Sequence, residues 1–184
     1  METFTEKKAK TKWILDLSHS ELNFKVKHLM ISNVKGAFRK FEAEVDGEDF
    51  NASVINVTID AASIYTNDDA RDGHLKSADF FDVENYKEIT FKSTSFRKTD
   101  RENYKLAGLL TIKGISNAVT LDVEFGGTNK DPWGNEKAAF SLNGKINRKD
   151  WGLNWNAALE TGGVLVSDEV LISGDIQLLK KSAE

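Results

Sequence analysis

An all-β barrel with one short helical insert is the fold class that this sequence predicts, and three observations carry it. Hydrophobic and polar residues alternate at period two in eight principal stretches, turn-forming clusters separate the stretches, and one segment, Asn67 to Phe81, breaks the habit. Such alternation buries one face of each strand and wets the other, which fits an antiparallel sheet closed on itself. An eight-stranded antiparallel β-barrel has an interior either just filled by side chains or wide enough for one ligand.

The elements follow in order. A short extra strand is expected around Trp13 to Asp16. From Glu21 to His28, Leu22, Phe24, Val26 and His28 share a face. Val34, Gly36 and Phe38 face inward next, and the phase then shifts to Phe41, Ala43 and Val45, which implies a bulge near Arg39 and Lys40. Ile55, Val57 and Ile59 make the following strand. In the insert, Thr66 or Asn67 is expected to cap the free amides and Asp68 and Asp69 to favour the helix dipole. Leu75, Ala78 and Phe81 should lie on one side, and Gly73 keeps the helix short. Strands then run through Ile89 and Phe91, Leu106 to Ile112, Val119 to Phe125, Phe140 to Ile146, and Val170 to Leu178. "DGED" at Asp46, "KGIS" at Lys113 and "GGTNKDPWGN" at Gly126 supply turns.

Gly36, Gly108, Gly144 and Gly174 occupy inward positions where a filled core would hold bulk. They either bend the strands or leave empty volume beside Phe24, Phe38, Phe91 and Phe140, and the second reading predicts a cavity.

A chain of 184 residues is most simply one domain, here residues 13–180, behind a flexible tail of residues 1–12. Its 40% hydrophobic and 29% charged content is that of an ordinary soluble globular protein. A net charge of −4 gives no footprint for nucleic acid, and the lysines clustered near both ends read as solvated. With no cysteine, disulfides, thiolate metal sites and cysteine nucleophiles are absent. The first dozen residues hold no signal-peptide core, so the chain as written is expected in the cytoplasm, or in the periplasm if a leader has been removed.

Candidate chemistry is sparse. His28 shares the apolar face of its strand, where a buried imidazole needs a partner and could serve a ligand's carbonyl or hydroxyl. His19, His28 and His74 are too scattered for a metal motif. Asp72 and His74 are two apart on a helix and do not face each other, which argues against a base oriented by Asp72. Arg71 and Leu75 do share a face, so Arg71 could pair with a phosphate at the barrel mouth or lock the loop to Asp68, Asp79 or Asp82. Trp133 reads as a turn aromatic. Trp151 and Trp155 could cover the second barrel end or touch a ligand. No GxSxG elbow, P-loop or GxGxxG occurs.

"WILDLSHSELNFKVKHLMISNVKGAFRKFEAEV" from Trp13, "RDGHLKSADFFDVENYKEITFKSTS" from Arg71, "GLLTIKGISNAVTLDVEF" from Gly108, "DPWG" from Asp131 and "INRKDWGLNW" from Ile146 together resemble the YceI family of bacterial lipid-binding proteins. The resemblance runs in order from about Trp13 to Leu178. It implies an extended, lipocalin-like barrel that binds a polyisoprenoid chain, such as an isoprenoid quinone or polyprenyl phosphate, without catalysis, cofactor or metal. Phe24, Val26, Phe38, Phe41, Val57, Phe91, Leu110, Leu121 and Phe140 are then expected to wall the lumen, and Leu75, Phe80 and Phe81 to close one end. His28 or Arg71 would meet the polar head. An apolar or amphiphilic lipid is the expected partner, with transient membrane contact and homodimerisation compatible. An enzyme acting on a small apolar substrate, or an interaction module with a filled barrel, are the alternatives.

Overall fold

The structure, a computed structural model, describes residues 11–182. The period-two stretches become eleven strand segments of one antiparallel sheet. They are β1 (Thr11–Leu15), β2 (Glu21–His28), β3 (Ser32–Phe38), β4 (Phe41–Asp46), β5 (Ile55–Asp60), β6 (Ile64–Tyr65), β7 (Glu88–Lys98), β8 (Asn103–Ile112), β9 (Ile115–Lys130), β10 (Glu136–Asn147) and β11 (Val166–Ser182). The order β1-β4-β5-β7-β8-β9-β10-β11 closes on itself where Trp13 of β1 pairs with Lys180 of β11. That ring is the eight-stranded antiparallel barrel that the alternation predicts.

The short strand expected near Trp13 is thus a member of the ring and not an accessory. β11 is long enough to pair with β1 through Leu178–Ser182 and with β2 through Val170–Asp175. β1 and β2 are therefore two halves of one long strand, broken by a turn at Leu17–His19. β3 and β4 are split in the same way at Arg39 and Lys40, where the inward phase of the sequence shifts. A turn at Ala61–Ser63 likewise splits β5 from β6. The upper halves β2, β3 and β6 form a flap above the closed ring. β6 covers only Ala37 and Phe38, so above them β3 has no ladder on its second edge among the described residues.

The insert forms α1 (Asp69–Lys76). Its cap is Asp68, whose carboxylate accepts from the Arg71 amide at 3.0 Å, so capping falls one residue beyond the expected Asn67. The helix stops at Lys76, and turns carry the chain onward. Ala78 is consequently exposed, and the expected stripe of Leu75, Ala78 and Phe81 is not a helix face. Of the expected tail, residues 1–10 lie outside the described residues, while Thr11 and Lys12 belong to β1 and Lys12 pairs with Glu44 at 3.0 Å.

The lower end of the barrel is closed by aromatic packing. Trp13 meets Phe50 at 5.2 Å between ring centroids, Phe50 meets Phe140 at 5.1 Å, and Phe125 meets Phe140 at 5.1 Å. Ala43, Val45, Ala138 and Leu178 complete this plug.

Asp16 fastens the kink between β1 and β2. Its carboxylate accepts from Ser18 Oγ at 2.7 Å and from Lys137 Nζ of β10 at 3.0 Å, and it lies 2.9 Å from His19 Nδ1. Burial alone raises the carboxyl pKa, but the bonds from Ser18, Lys137 and His19 outweigh it and hold the group far below the usual carboxylate range. A carboxyl held low in the fold and ordinary, at about 3.9, in the unfolded chain stabilises the fold above that pH and loses the contribution as pH falls. Asp16→Asn should therefore flatten the fall of the urea midpoint between about pH 4 and pH 2. Parallel curves for parent and variant over that window would remove Asp16 from the acid response.

Candidate functional site: an apolar lumen open at the helical end

Inward residues from every ring strand but β1, together with β2 and β3 of the flap, surround one cavity of about 600 Å³, a size that suits a small-molecule ligand. Its wall runs from Val45 and Phe50 at the plug up to Val166 and Lys27 at the opposite end. Phe24 and Val26 of β2, Phe38 of β3, Phe41 of β4 and Val57 of β5 line it. Phe91, Leu110, Leu121 and Phe140 line it from β7, β8, β9 and β10.

The inward glycines do not supply this volume. A Cβ on Gly36 would collide with the Phe24 ring, one on Gly108 would lie 2.5 Å from both the Lys92 carbonyl and Phe91, and one on Gly144 would strike Leu121. Gly36, Gly108 and Gly144 are each covered by a neighbouring side chain, and Gly174 is approached by the Glu21 carbonyl at 2.7 Å. The lumen is hollow because opposite walls are separated by the barrel's width, not because positions are vacant.

The helical end is a built rim. Phe80 is buried, Phe81 meets Phe38 edge to face at 5.8 Å, and Leu75 packs against the same core. Trp155 meets Phe80 at 5.5 Å and the His74 ring at 4.6 Å, so it lies at this end and not at the opposite one. Trp151 does not line the cavity. It is 2% exposed, and its indole N–H donates to the Leu110 carbonyl at 2.8 Å, a structural anchor in place of the expected lid.

Six polar residues border the cavity: Asn23, Lys27, His28, Arg71, His74 and Arg148. The Arg71 side chain holds Thr66 and none of the carboxylates expected, Asp68, Asp79 or Asp82. Its Nε donates to Thr66 Oγ1 at 2.8 Å and its Nη2 to the Thr66 carbonyl at 2.7 Å. Thr66 Oγ1 in turn donates to Asp72 at 2.5 Å, and Asp72 is buried. His74 faces Asp79 at 2.8 Å, not Asp72. His28 is half-buried at the end of β2, and its ring makes no hydrogen bond among the described residues, so it is not the deeply buried imidazole expected.

Arg148 is the polar residue that the motif search passes over. It is 3% exposed and donates to the carbonyls of Leu153, Trp155, Val166 and Ser167, with the Asp168 carboxylate 3.8 Å away. Burial lowers its pKa and Asp168 partly offsets that. The signal was available: Phe140, Leu142, Gly144 and Ile146 alternate inward, and Arg148 continues the same parity. Among the described residues, no group of three or more His, Cys, Asp and Glu could hold a metal ion, and no helix is long and apolar enough to cross a membrane.

A closed antiparallel calyx with an apolar lumen and one polar rim is a barrel of the lipocalin kind. The chain belongs to the YceI-like family: a profile described as YceI-like domain matches residues 13–178. A UPF0312 protein of Staphylococcus aureus strain bovine RF122 is 46% identical over 163 residues, spanning 87% of this chain and 92% of that protein. The crystal structure of a Campylobacter jejuni YCEI protein is similar at a TM-score of 0.73 and 38% identity, covering 91% of this chain and 97% of its own. A polyisoprenoid binding domain from Saccharophagus degradans shares the fold at a TM-score of 0.64 and 15% identity, over 92% and 98% of the two chains.

Proposed function

We propose that this protein binds an amphiphilic isoprenoid lipid in its lumen, an isoprenoid quinone or a polyprenyl phosphate, and stores or carries it without chemical change. The carrying observation is an apolar cavity of about 600 Å³, plugged by Trp13 and Phe50 below and edged by polar side chains above. A polar head at the rim and a tail in the lumen satisfy both surfaces. The Saccharophagus domain, described as polyisoprenoid binding, supports this reading through its fold. Affinity comes from desolvation at ~0.8 kcal/mol per buried methylene, so a partly enclosed prenyl tail offsets an association cost of roughly 4–15 kcal/mol.

A carrier role in place of an enzymatic one is supported by the occupations of the rim groups. Arg71 and Arg148 hold backbone carbonyls, and His74 is held between Asp79, Phe80 and Trp155. Native mass spectrometry of the purified protein, followed by organic extraction, tests the assignment. A prenyl lipid should come off at one per chain, and a chain that neither carries nor takes up prenyl lipids would sink it.

In the same reading α1 gates the lumen. Gly73 is exposed, helical and has open space where a Cβ would stand, so Gly73→Ala should favour the helix by up to ~1 kcal/mol. Release of a fluorescent prenyl analogue to vesicles should slow in Gly73→Ala and quicken in Leu75→Ala, which removes a seal contact. Unchanged release rates in both variants would leave α1 a connector.

A further inference from the structure

The β2–β3 hairpin breaks two local rules at once. The turn from His28 to Ile31 is closed by the Ile31 amide donating to the His28 carbonyl at 3.3 Å, and both central residues have positive φ: Leu29 at 54° and Met30 at 63°. Two successive central residues of this handedness, here in a three-residue connection between the paired His28 and Ser32, are the natural place for Asn and Gly, because bulky side chains are strained there. Instead the turn displays apolar bulk to solvent, with Leu29 43%, Met30 51% and Ile31 87% exposed. Val164, 39% exposed, extends the patch across the neighbouring segment, where Met30 lies against Gly163 and the Leu29 amide donates to the Leu165 carbonyl at 2.9 Å.

Just below the tip, Lys25 of β2 stands directly opposite Lys35 of β3, a like-charge cross-strand pair, and Lys27 lies two pairs nearer the tip on the same face. None of the three makes a salt bridge among the described residues; Asp168 and Glu169 of nearby β11 face Lys145, Arg148 and Lys149 instead. Folding stability gains nothing from exposed apolar bulk, a strained turn and apposed lysines, so their coincidence marks a surface built for a partner. The tip also adjoins the lumen, because Lys27, His28 and Leu165 line the cavity.

We propose that the β2–β3 tip is a membrane-docking element that seats Leu29, Met30 and Ile31 among the acyl chains of an anionic bilayer while Lys25, Lys27 and Lys35 face its headgroups, bringing the lumen mouth to the lipid surface. An apolar wedge beneath a basic band is the chemistry of an interfacial anchor. The inference rests on the reading of the lumen as a lipid site, since it is the mouth of that site that docking would serve.

Flotation of the full chain with phosphatidylcholine vesicles, with and without phosphatidylglycerol, tests it. The protein should float with the anionic vesicles, less at high salt, and Ile31→Asp should cut the bound fraction by about tenfold. The double variant Leu29→Asn, Met30→Gly should melt no lower than the parent, since it suits the turn, and yet lose flotation. Uptake of a prenyl analogue from vesicle-free solution should be unchanged in these variants. Failure of that uptake in the parent as well would count against the lumen reading and leave the docking result to stand separately. Equal flotation of Ile31→Asp and parent would overturn the proposal. So would a parent that ignores both vesicles but is a dimer dispersed by Ile31→Asp, which would assign the tip to a second copy of the chain.

Discussion

Val57→Trp and Ile172→Trp should each reduce prenyl-lipid binding by at least tenfold while leaving the protein folded. Val57 of β5 and Ile172 of β11 are both half-buried and line the cavity, and an indole at either position projects into space where a tail would run. A tenfold loss corresponds to about 1.4 kcal/mol, less than the transfer energy of two methylenes displaced from the lumen. Stability should move the other way or hardly at all, because added bulk enters a void and not a packed core; overpacking a solid interior would instead cost about 1–3 kcal/mol. The signature is thus a melting temperature held or raised together with binding lost, read by thermal melts and by titration with a fluorescent prenyl analogue. Two variants on different strands guard against a local artefact. If both bound the analogue as the parent does, the ligand would have to sit outside the lumen, and the cavity would be a consequence of barrel closure alone.

The strands and their inward faces were legible because period two is a local property: each strand states which residues it buries without reference to the others. The break at Arg39 and Lys40 was legible for the same reason, since a bulge is a shift in that period. What the ends of the barrel look like was not. Trp155 meets His74 across a large sequence separation, and no periodicity states that the segment after β10 returns to the end already occupied by α1. The lower plug was hidden similarly: Phe50 sits in a turn and has no alternation to declare its direction. The glycines show parity read correctly and packing read wrongly, because the ring of Phe24 lying over Gly36 belongs to a cross-strand pair and not to either strand. His74 and Asp79 are five residues apart, but a helix stop at Lys76 brings them together where helical spacing would have kept them apart.

Arg148→Met should lower the free energy of unfolding by about 3–5 kcal/mol, the effect expected when a buried charged hub is removed and its partners stay behind. The guanidinium ties four carbonyls on two separate stretches, Leu153 and Trp155 on one and Val166 and Ser167 on the other. Each carbonyl left without a donor costs about 1–3 kcal/mol, reduced where water can enter from the rim. Methionine fills much of the space of the arginine stem, so the loss reports the hydrogen bonds more than a cavity. Arg148→Lys should recover little, because one ammonium cannot reproduce a planar fork aimed at several acceptors. Asp168→Asn, by contrast, should cost under about 1 kcal/mol, since that carboxylate is 42% exposed and 3.8 Å away. The ranking of the three in urea unfolding separates a carbonyl clamp from a buried ion pair. It also bears on the lumen: the clamp holds the segment carrying Trp155 against His74 and Phe80, so Arg148→Met should quicken lipid release even at low temperature, where the barrel remains folded. A variant with parental unfolding energy would show that water replaces the guanidinium, and the rim would then owe its position to Trp151 and its bond to Leu110.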